Sequence, residues 1–196
     1  MTGEKLSAAV IIAAAGSSSR MGTGVDKQFV ILAGKPVLWH TINVFKQLPQ
    51  IHQILVTVSP GNAERVAALL QQTLADIPWQ IVPGGAERQD SVRNALQLVS
   101  PSVELVLVHD GARPFVEPEC VLKSMKAAAE TGAAVVAVPV KDTIKLADAA
   151  GGVKQTLDRS SLWQVQTPQT FRRELLLKAH EQAAAAGVVA TDDAAL

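Results

Sequence analysis

Short apolar runs alternate with longer segments of helical period along this chain, and that alternation narrows the possible folds more than any other feature. The strand candidates are residues 8–13, 51–59, 79–82, 104–109 and 133–140. Several of these runs are apolar on both faces, which is typical of strands covered by helices above and below. Strands that alternate with helices in this way predict an α/β protein with a mainly parallel sheet.

The segments between the apolar runs have the spacing of amphipathic helices. Apolar residues recur at i, i+3 and i+4 in 66–74 and again in 92–99, so that each segment presents one apolar face. Further helices are predicted to begin near Pro36, Pro118 and Arg172, since proline suits a first helical turn. The predicted element order is βαβαβαβαβ followed by a late helix.

Residues 141–158 break this rhythm. The hydrophobic alternation of this stretch is weak, and it contains the sequence AAGG at 149–152 between two polar clusters. These features favour a projecting hairpin over another βαβ unit, and we call residues 141–158 the arm. No repeat, linker or shift in composition divides the 196 residues, so a single domain over 1–196 is predicted.

The composition excludes several classes of protein. Lysine plus arginine and aspartate plus glutamate each total 18, so there is no net positive charge to hold a nucleic acid. Cys120 is the only cysteine, which excludes an intramolecular disulfide and a zinc site built from thiolates. The apolar stretch 8–15 is too short to span a bilayer. The sequence therefore predicts a cytoplasmic protein that acts on small molecules, with no nucleic-acid or membrane partner.

A loop of small residues follows the first strand candidate. It runs from Ala13 to Ser19 and is flanked by Arg20 and Lys27. Small side chains let backbone amides approach an anion closely, and such a turn suits a triphosphate. The loop has neither the Walker A spacing nor the three-glycine dinucleotide fingerprint. Nucleotidyl transfer needs positive charge beside the nonbridging oxygens, which the two flanking cations would supply.

Several segments give the chain a resemblance to known enzymes. Residues 14–22, 27–29 and 34–38 are similar to the opening of sugar-nucleotide pyrophosphorylases and related nucleotidyltransferases. Four later segments resemble the 2-C-methyl-D-erythritol 4-phosphate cytidylyltransferase family and occur in that family's order. They are 84–92 (GGAERQDSV), 109–114 (HDGARP), 139–145 (PVKDTIK) and 162–171 (LWQVQTPQTF). The resemblance covers the chain from residue 8 to its end.

The resemblance implies a fold, an activity and an assembly. The fold is a Rossmann-like three-layer sandwich of the nucleotidyltransferase type with a projecting β-arm. The activity is attack by the phosphate oxygen of 2-C-methyl-D-erythritol 4-phosphate on the α-phosphorus of CTP, with release of pyrophosphate and no covalent enzyme intermediate. Mg²⁺ or another divalent cation is the implied cofactor. The implied assembly is a homodimer in which the arm of one subunit reaches over the site of the other.

The resemblance also implies roles for individual residues. The CTP contacts would be Ala14, Ala15, Gly16, Arg20, Lys27, Gly85 and Ser91. The catalytic residues would be Arg20, Lys27 and Arg159, and the acceptor contacts Asp110, Arg113, Thr143, Arg159 and Thr191, with Asp110 also binding the metal. Ala86 stands where the family often has an acidic residue, so recognition of the base or ribose at that point must use backbone groups or be weaker. His109 is predicted to be structural. Trp163 and Phe171 are predicted to lie in the core, and residues 166–168 are predicted to form a turn.

Three alternatives remain beside this interpretation. A ribitol 5-phosphate cytidylyltransferase shares the loop, although segments 141–145 and 158–163 favour methylerythritol phosphate. A non-catalytic nucleotide-binding module could use the arm for assembly, and a redox enzyme is disfavoured by the missing glycine fingerprint. The family continues beyond 191–194 with a strand, another metal-side acid and a lysine. This sequence ends at Leu196, so a truncated form is expected.

Overall fold

The computed structural model describes residues 6–16 and 26–196. The strands are β1 (Ala8–Ala14), β2 (Ile31–Leu32), β3 (Lys35–Pro36), β4 (Ile51–Val58), β5 (Trp79–Pro83), β6 (Leu105–Asp110), β7 (Ala133–Pro139), β8 (Lys145–Ala147), β9 (Val153–Thr156) and β10 (Trp163–Arg172). The helices are α1 (Val37–Lys46), α2 (Ala63–Thr73), α3 (Arg88–Leu96), α4 (Pro118–Thr131) and α5 (Arg173–Ala186).

The central sheet has six strands in the order β5-β4-β1-β6-β10-β7. The first four of these strands are parallel, and β10 runs antiparallel to both of its neighbours. The predicted α/β fold with a mainly parallel sheet is confirmed. Because β4, β1 and β6 are adjacent and parallel, their carboxyl ends lie together at one edge of the sheet. Open α/β sheets bind ligands at that edge.

The alternating side chains of β1 separate the core into two halves. Val10 and Ile12 pack on one face with residues of α1, α2 and α4, and all of their surface is buried. Ala9 and Ile11 pack on the opposite face with α3 and α5. Successive residues of a strand point to opposite faces, so an all-apolar β1 requires helices on both sides. The three-layer sandwich is therefore confirmed.

The predicted helices all form, within a few residues of their expected ends. Pro36 immediately precedes α1, and Pro118 lies in the first turn of α4. Helix α5 ends at Gly187, whose φ of 65° places it in the left-handed region that favours glycine. No helix in the described ranges combines the length and apolar character needed to cross a bilayer. The cytoplasmic location and the single-domain organisation stay predictions.

Strand β10 corrects two expectations. Residues 166–168 were expected to form a turn but lie within β10, where the pairing with β7 shifts register between Val165 and Gln169. Such an irregularity accommodates Pro168, which cannot donate to a regular ladder. Trp163 was expected in the core, and that expectation is wrong because its side chain is 60% exposed. Phe171, on the buried half of the strand, is 4% exposed, as expected.

The arm forms the predicted hairpin. Strands β8 and β9 pair antiparallel, and the Asp148 carboxylate closes the turn between them by accepting from the amides of Ala150 and Gly152 at 3.0 and 2.8 Å. Gly151 has a φ of 85°. Both faces of the hairpin are exposed, including Leu146. The arm thus stands away from the core of the sandwich.

Candidate active site

A cleft of about 470 Å³ opens at the carboxyl edge of the parallel strands. It is lined by Ala13, Ala15, Gly16, Thr57, Gly85, Ala86, Glu87, Arg88, Ser91 and Asp110. The ends of β1, β4 and β6 and the start of α3 provide these residues. Five of the predicted site residues, Ala15, Gly16, Gly85, Ser91 and Asp110, are therefore together around one cleft.

The carboxyl end of β1 forms the floor of this cleft. Ala14 is buried, and its amide donates to Thr57 Oγ1 at 3.4 Å while its carbonyl accepts from Gln28 Nε2 at 3.1 Å. The backbone of Ala14 is thus engaged beneath the cleft, whereas Ala15 and Gly16 line it. The buried amide of Gln28 ties the turn Lys27–Phe29 to the end of the central strand.

The turn that carries Lys27 is fixed on its other side as well. Asn62 Nδ2 donates to Asp26 Oδ2 at 2.8 Å and to Ser59 Oγ at 2.9 Å. The Arg65 guanidinium lies 3.9 Å from the centroid of the Phe29 ring, which is a cation–π contact. The turn that begins at Lys27 is consequently held beside the end of β1. Arg20 lies outside the described residues, and its role stays a prediction.

Close backbone packing joins the first loop to the start of α3. A Cβ on Gly84 would lie 2.4 Å from Ala15 Cβ, so only glycine fits there. The Ser91 hydroxyl accepts from the Gly85 amide at 2.9 Å and donates to the Glu87 carbonyl at 3.2 Å. These bonds aim the amino end of α3 at the cleft. Helix amino ends attract anions, so this wall suits phosphate oxygens.

Asp110 ends β6 and places its carboxylate at the edge of the cleft. Its Oδ2 accepts from Arg113 Nε at 2.8 Å, and its Oδ1 lies 3.7 Å from Arg88 Nε. Its amide donates to Thr167 Oγ1 at 3.3 Å, and Arg113 also donates to Gln166. The carboxylate is partly exposed between two guanidinium groups. These contacts therefore orient the carboxylate at the edge of the cleft.

His109 supports the turn that follows β6. Its ring is fully buried, and Nε2 lies 3.0 Å from the carbonyl oxygen of Arg113. Burial lowers the pKa of His109 from 6.5 to about 4, against the opposing effect of the hydrogen bond to Arg113. A neutral ring must donate through Nε2–H to a carbonyl. This geometry supports the prediction that His109 is structural, since it holds the 110–113 turn.

The low pKa of His109 predicts a loss of stability in acid. In the unfolded chain, His109 takes up a proton below about pH 6.5. In the folded chain, it does so only below about pH 4. The free energy of unfolding should therefore fall by about 2 kcal/mol between pH 7 and pH 5 through this group. In urea titrations at the two pH values, we expect His109→Gln to remove most of this decrease in the free energy of unfolding. His52 is exposed on β4, so His52→Gln should show the same decrease as the wild type. An unchanged pH slope in His109→Gln would contradict the assignment.

An ion pair joins the cleft wall to a buried carboxylate. Arg88 Nη1 lies 2.6 Å from Asp193 Oδ2, and Asp193 is 3% exposed. His180 Nε2 lies 3.3 Å from the other carboxylate oxygen, outside hydrogen-bond geometry. Burial raises the pKa of Asp193, but His180 and Arg88 outweigh burial, so the net pKa is lowered. Sequence reasoning assigned no role to Arg88, although it lies within segment 84–92.

Three predicted acceptor contacts lie apart from the cleft. Arg159 Nη1 donates to the Lys141 carbonyl at 2.8 Å at the base of the arm, and Thr143 is exposed on the same arm. Thr191 is exposed in the segment that follows α5. The described lining of the cleft includes none of the three. Their roles in binding the acceptor stay predictions.

Asp110 is the candidate metal ligand. In residues 6–16 and 26–196, no three histidine, cysteine, aspartate or glutamate side chains form a cluster that could hold a metal ion. Mg²⁺ in nucleotide enzymes is commonly held by one or two carboxylates together with substrate phosphates. The Asp110 carboxylate at the edge of the cleft fits that pattern. The residues therefore fit a cation shared with a nucleotide.

Comparisons with known sequences agree with this geometry. A model of the family described as 2-C-methyl-D-erythritol 4-phosphate cytidylyltransferase matches residues 8–196. The protein of that name from Caldanaerobacter subterraneus subsp. tengcongensis is 43% identical over 192 residues, which are 97% of this chain and 85% of that protein. The one from Desulforamulus reducens is 48% identical over 187 residues, which are 95% and 80% of the two chains.

Solved structures are similar over the same range. The 4-diphosphocytidyl-2C-methyl-D-erythritol synthase of Anaerococcus prevotii matches with a TM-score of 0.85 and 29% identity, covering 97% of this chain and 80% of that one. The 2-C-methyl-D-erythritol 4-phosphate cytidylyltransferase of Thermus thermophilus matches with a TM-score of 0.75 and 33% identity, covering 96% and 82%. The likeness therefore extends over nearly all of this chain.

Proposed function

Because the chain belongs to the 2-C-methyl-D-erythritol 4-phosphate cytidylyltransferase family, we propose that it transfers CMP from CTP to 2-C-methyl-D-erythritol 4-phosphate. Pyrophosphate is the second product. The observation that carries the proposal is the cleft in which Ala15, Gly16, Gly85, Ser91 and Asp110 meet. A small-residue loop, a helix amino end and a carboxylate surround one space there.

The reaction needs positioning and charge more than acid–base chemistry. An oxygen of the acceptor phosphate forms a bond to the α-phosphorus, and the bond from that phosphorus to the β-phosphate bridging oxygen breaks. A phosphate monoester is already ionised near neutral pH, so no protein base must activate it. The neutral, buried ring of His109 is consistent with that chemistry. The electron pair of the broken phosphorus–oxygen bond leaves with pyrophosphate.

We propose that CTP lies along the cleft with its phosphates at the first loop. The backbone of Ala15 and Gly16 and the amino end of α3 face that space. Lys27, fixed by its turn beside the loop, and Arg20 would neutralise the charge that gathers on the nonbridging oxygens in the transition state. Such preorganised cations lower the barrier because they need no reorientation during the reaction.

We propose that Asp110 also holds a Mg²⁺ ion shared with the triphosphate. When bound, the ion supplies positive charge that stabilises the α-phosphate and the leaving pyrophosphate. Arg113 keeps the carboxylate oriented through its 2.8 Å contact. Arg113 and Thr191 would then contact the acceptor from the same subunit.

The remaining acceptor contacts are proposed to come from a second subunit. The arm and the neighbouring edge expose several large apolar side chains: Val138 at 46%, Leu146 at 48%, Val153 at 63% and Trp163 at 60%. A cluster of this kind beside the edge strand β7 is typical of an interaction surface. We therefore propose a symmetric homodimer in which Thr143 and Arg159 of one arm bind the acceptor phosphate in the other subunit's cleft.

A side-by-side acceptor assay tests the proposed function. With CTP and Mg²⁺, we expect pyrophosphate release to be faster with 2-C-methyl-D-erythritol 4-phosphate than with ribitol 5-phosphate, compared as kcat/KM. Segments 141–145 and 158–163 are the basis for that choice of acceptor. Faster turnover with ribitol 5-phosphate would reverse the assignment. A control without acceptor measures hydrolysis of CTP alone.

A further inference from the structure

The guanidinium of Arg88 lies between two carboxylates that belong to different parts of the fold. One is Asp110 at 3.7 Å, on the edge of the cleft, and the other is the buried Asp193 at 2.6 Å. We propose that Arg88 is a positioning residue that fixes Asp110 relative to residues 188–195, the segment that carries Thr191. This inference rests on the proposed function, because it assigns Arg88 to the acceptor side of that reaction.

The Asp193 end of this link is rigidly anchored. Gln169, on β10 and 1% exposed, accepts through Oε1 from the amides of Asp193 at 3.1 Å and Ala194 at 3.2 Å. Its Nε2 donates to Asp192 Oδ2 at 2.8 Å. The Asp193 carboxylate is therefore held in place by its own backbone. The fixed position of Asp193 therefore sets the position of the Arg88 guanidinium, and Arg88 in turn sets the position of the Asp110 carboxylate.

The residue after Arg88 holds the same segment at a second place. Gln89 Nε2 donates to the Val188 carbonyl at 3.0 Å, and its Oε1 accepts from the Ala190 amide at 2.9 Å. The first turn of α3 thus binds the 188–195 segment on both sides of Thr191. Since the same turn lines the cleft, any shift of the segment changes the position of Arg88 beside Asp110.

The chemistry of arginine explains why this position needs a guanidinium. Its planar fork presents several donors in fixed directions, so one side chain can face two carboxylates at once. A lysine ammonium at the same place could bind Asp193 but would reach Asp110 less well. Without Arg88, Arg113 alone would orient Asp110, and the buried charge of Asp193 would lose its 2.6 Å ion pair.

The kinetic test separates acceptor binding from nucleotide binding. We expect Arg88→Met to raise the KM for 2-C-methyl-D-erythritol 4-phosphate roughly tenfold or more, with a much smaller change in the KM for CTP. Arg88→Lys should recover part of the loss, because it restores the charge without the fork. Arg93→Met is the matched control, since Arg93 pairs with Asp90 of the same helix at 3.0 Å and does not line the cleft.

A second variant separates positioning from folding. Arg88→Met leaves the buried Asp193 without its arginine partner and lowers stability, whereas Arg88→Met with Asp193→Asn removes both charges. We expect the double variant to regain the urea midpoint but to keep the raised acceptor KM. Recovery of both quantities together would make Arg88 a folding residue only and overturn the proposal. A larger rise in the KM for CTP than for the acceptor would also overturn it. Wild-type turnover in the same assay tests the proposed function separately.

Discussion

Lys27→Ala is expected to lower kcat for CMP transfer by roughly 10²- to 10³-fold, the usual effect of removing one preorganised transition-state charge. Lys27 begins a turn that the buried Gln28 amide fastens to the end of β1. The backbone at Lys27 is therefore held in place before the reaction begins, and loss of the ammonium group removes charge stabilisation without disturbing the core. Steady-state release of pyrophosphate measures the effect, and thermal unfolding checks the fold.

Lys126→Ala is the matched control for this prediction. Lys126 is exposed on α4, so turnover should stay within about twofold of the wild-type value, as is usual for a surface charge. Unchanged turnover in Lys27→Ala would contradict the catalytic role. It would favour the alternative of a nucleotide-binding module only if CTP binding by calorimetry also survived and the wild-type chain showed no transfer.

The second large effect is complementation between two inactive variants. Lys27→Ala and Arg159→Ala should each be nearly inactive as homodimers. In a mixed dimer, one site keeps Lys27 of its own subunit and receives intact Arg159 from the arm of the other subunit. Unfolding and refolding an equal mixture should therefore restore about one quarter of wild-type activity, because half of the dimers are mixed and each has one complete site.

The complementation experiment gives a different result if Arg159 acts within its own subunit. Arg159 contacts Lys141 within its own arm and does not line the described cleft of the same chain. If Arg159 nevertheless acted within its own subunit, every site in the mixture would lack one of the two cations. Activity would then stay at the level of the single variants, which would contradict the arm exchange. Sedimentation of the wild-type chain checks the dimer independently.

The fold was predictable wherever burial was strong. Strands β1, β4 and β6 are apolar on both faces because helices cover both sides of the sheet, and such runs are hard to mistake. Strand β10 was missed because glutamine and threonine side chains interrupt its apolar pattern and Pro168 mimics a turn. Gln169 and Thr170 are nevertheless buried, since they bond to other polar groups. Local pattern cannot reveal such distant partners.

The site was predictable in part for a similar reason. The small residues of the first loop and Asp110 follow directly after buried strands, so their meeting at one sheet edge follows from the topology. Arg88 and Gln28 act through contacts with residues 105 and 14 positions away. No local sequence pattern indicates which residues will meet over such separations. The arm residues lie apart from the cleft of their own chain, which is what the proposed exchange of arms between two chains requires.

The most direct measurement uses 2-C-methyl-D-erythritol 4-phosphate labelled with ¹⁸O in its phosphate group. Incubation with CTP, Mg²⁺ and the chain, followed by mass spectrometry, should give a CDP-linked alcohol that retains all of the label. Unlabelled pyrophosphate should appear in equal amount, because the acceptor oxygen attacks the α-phosphorus and pyrophosphate leaves. A product without the label, or release of CMP without any CDP-linked alcohol, would contradict the account.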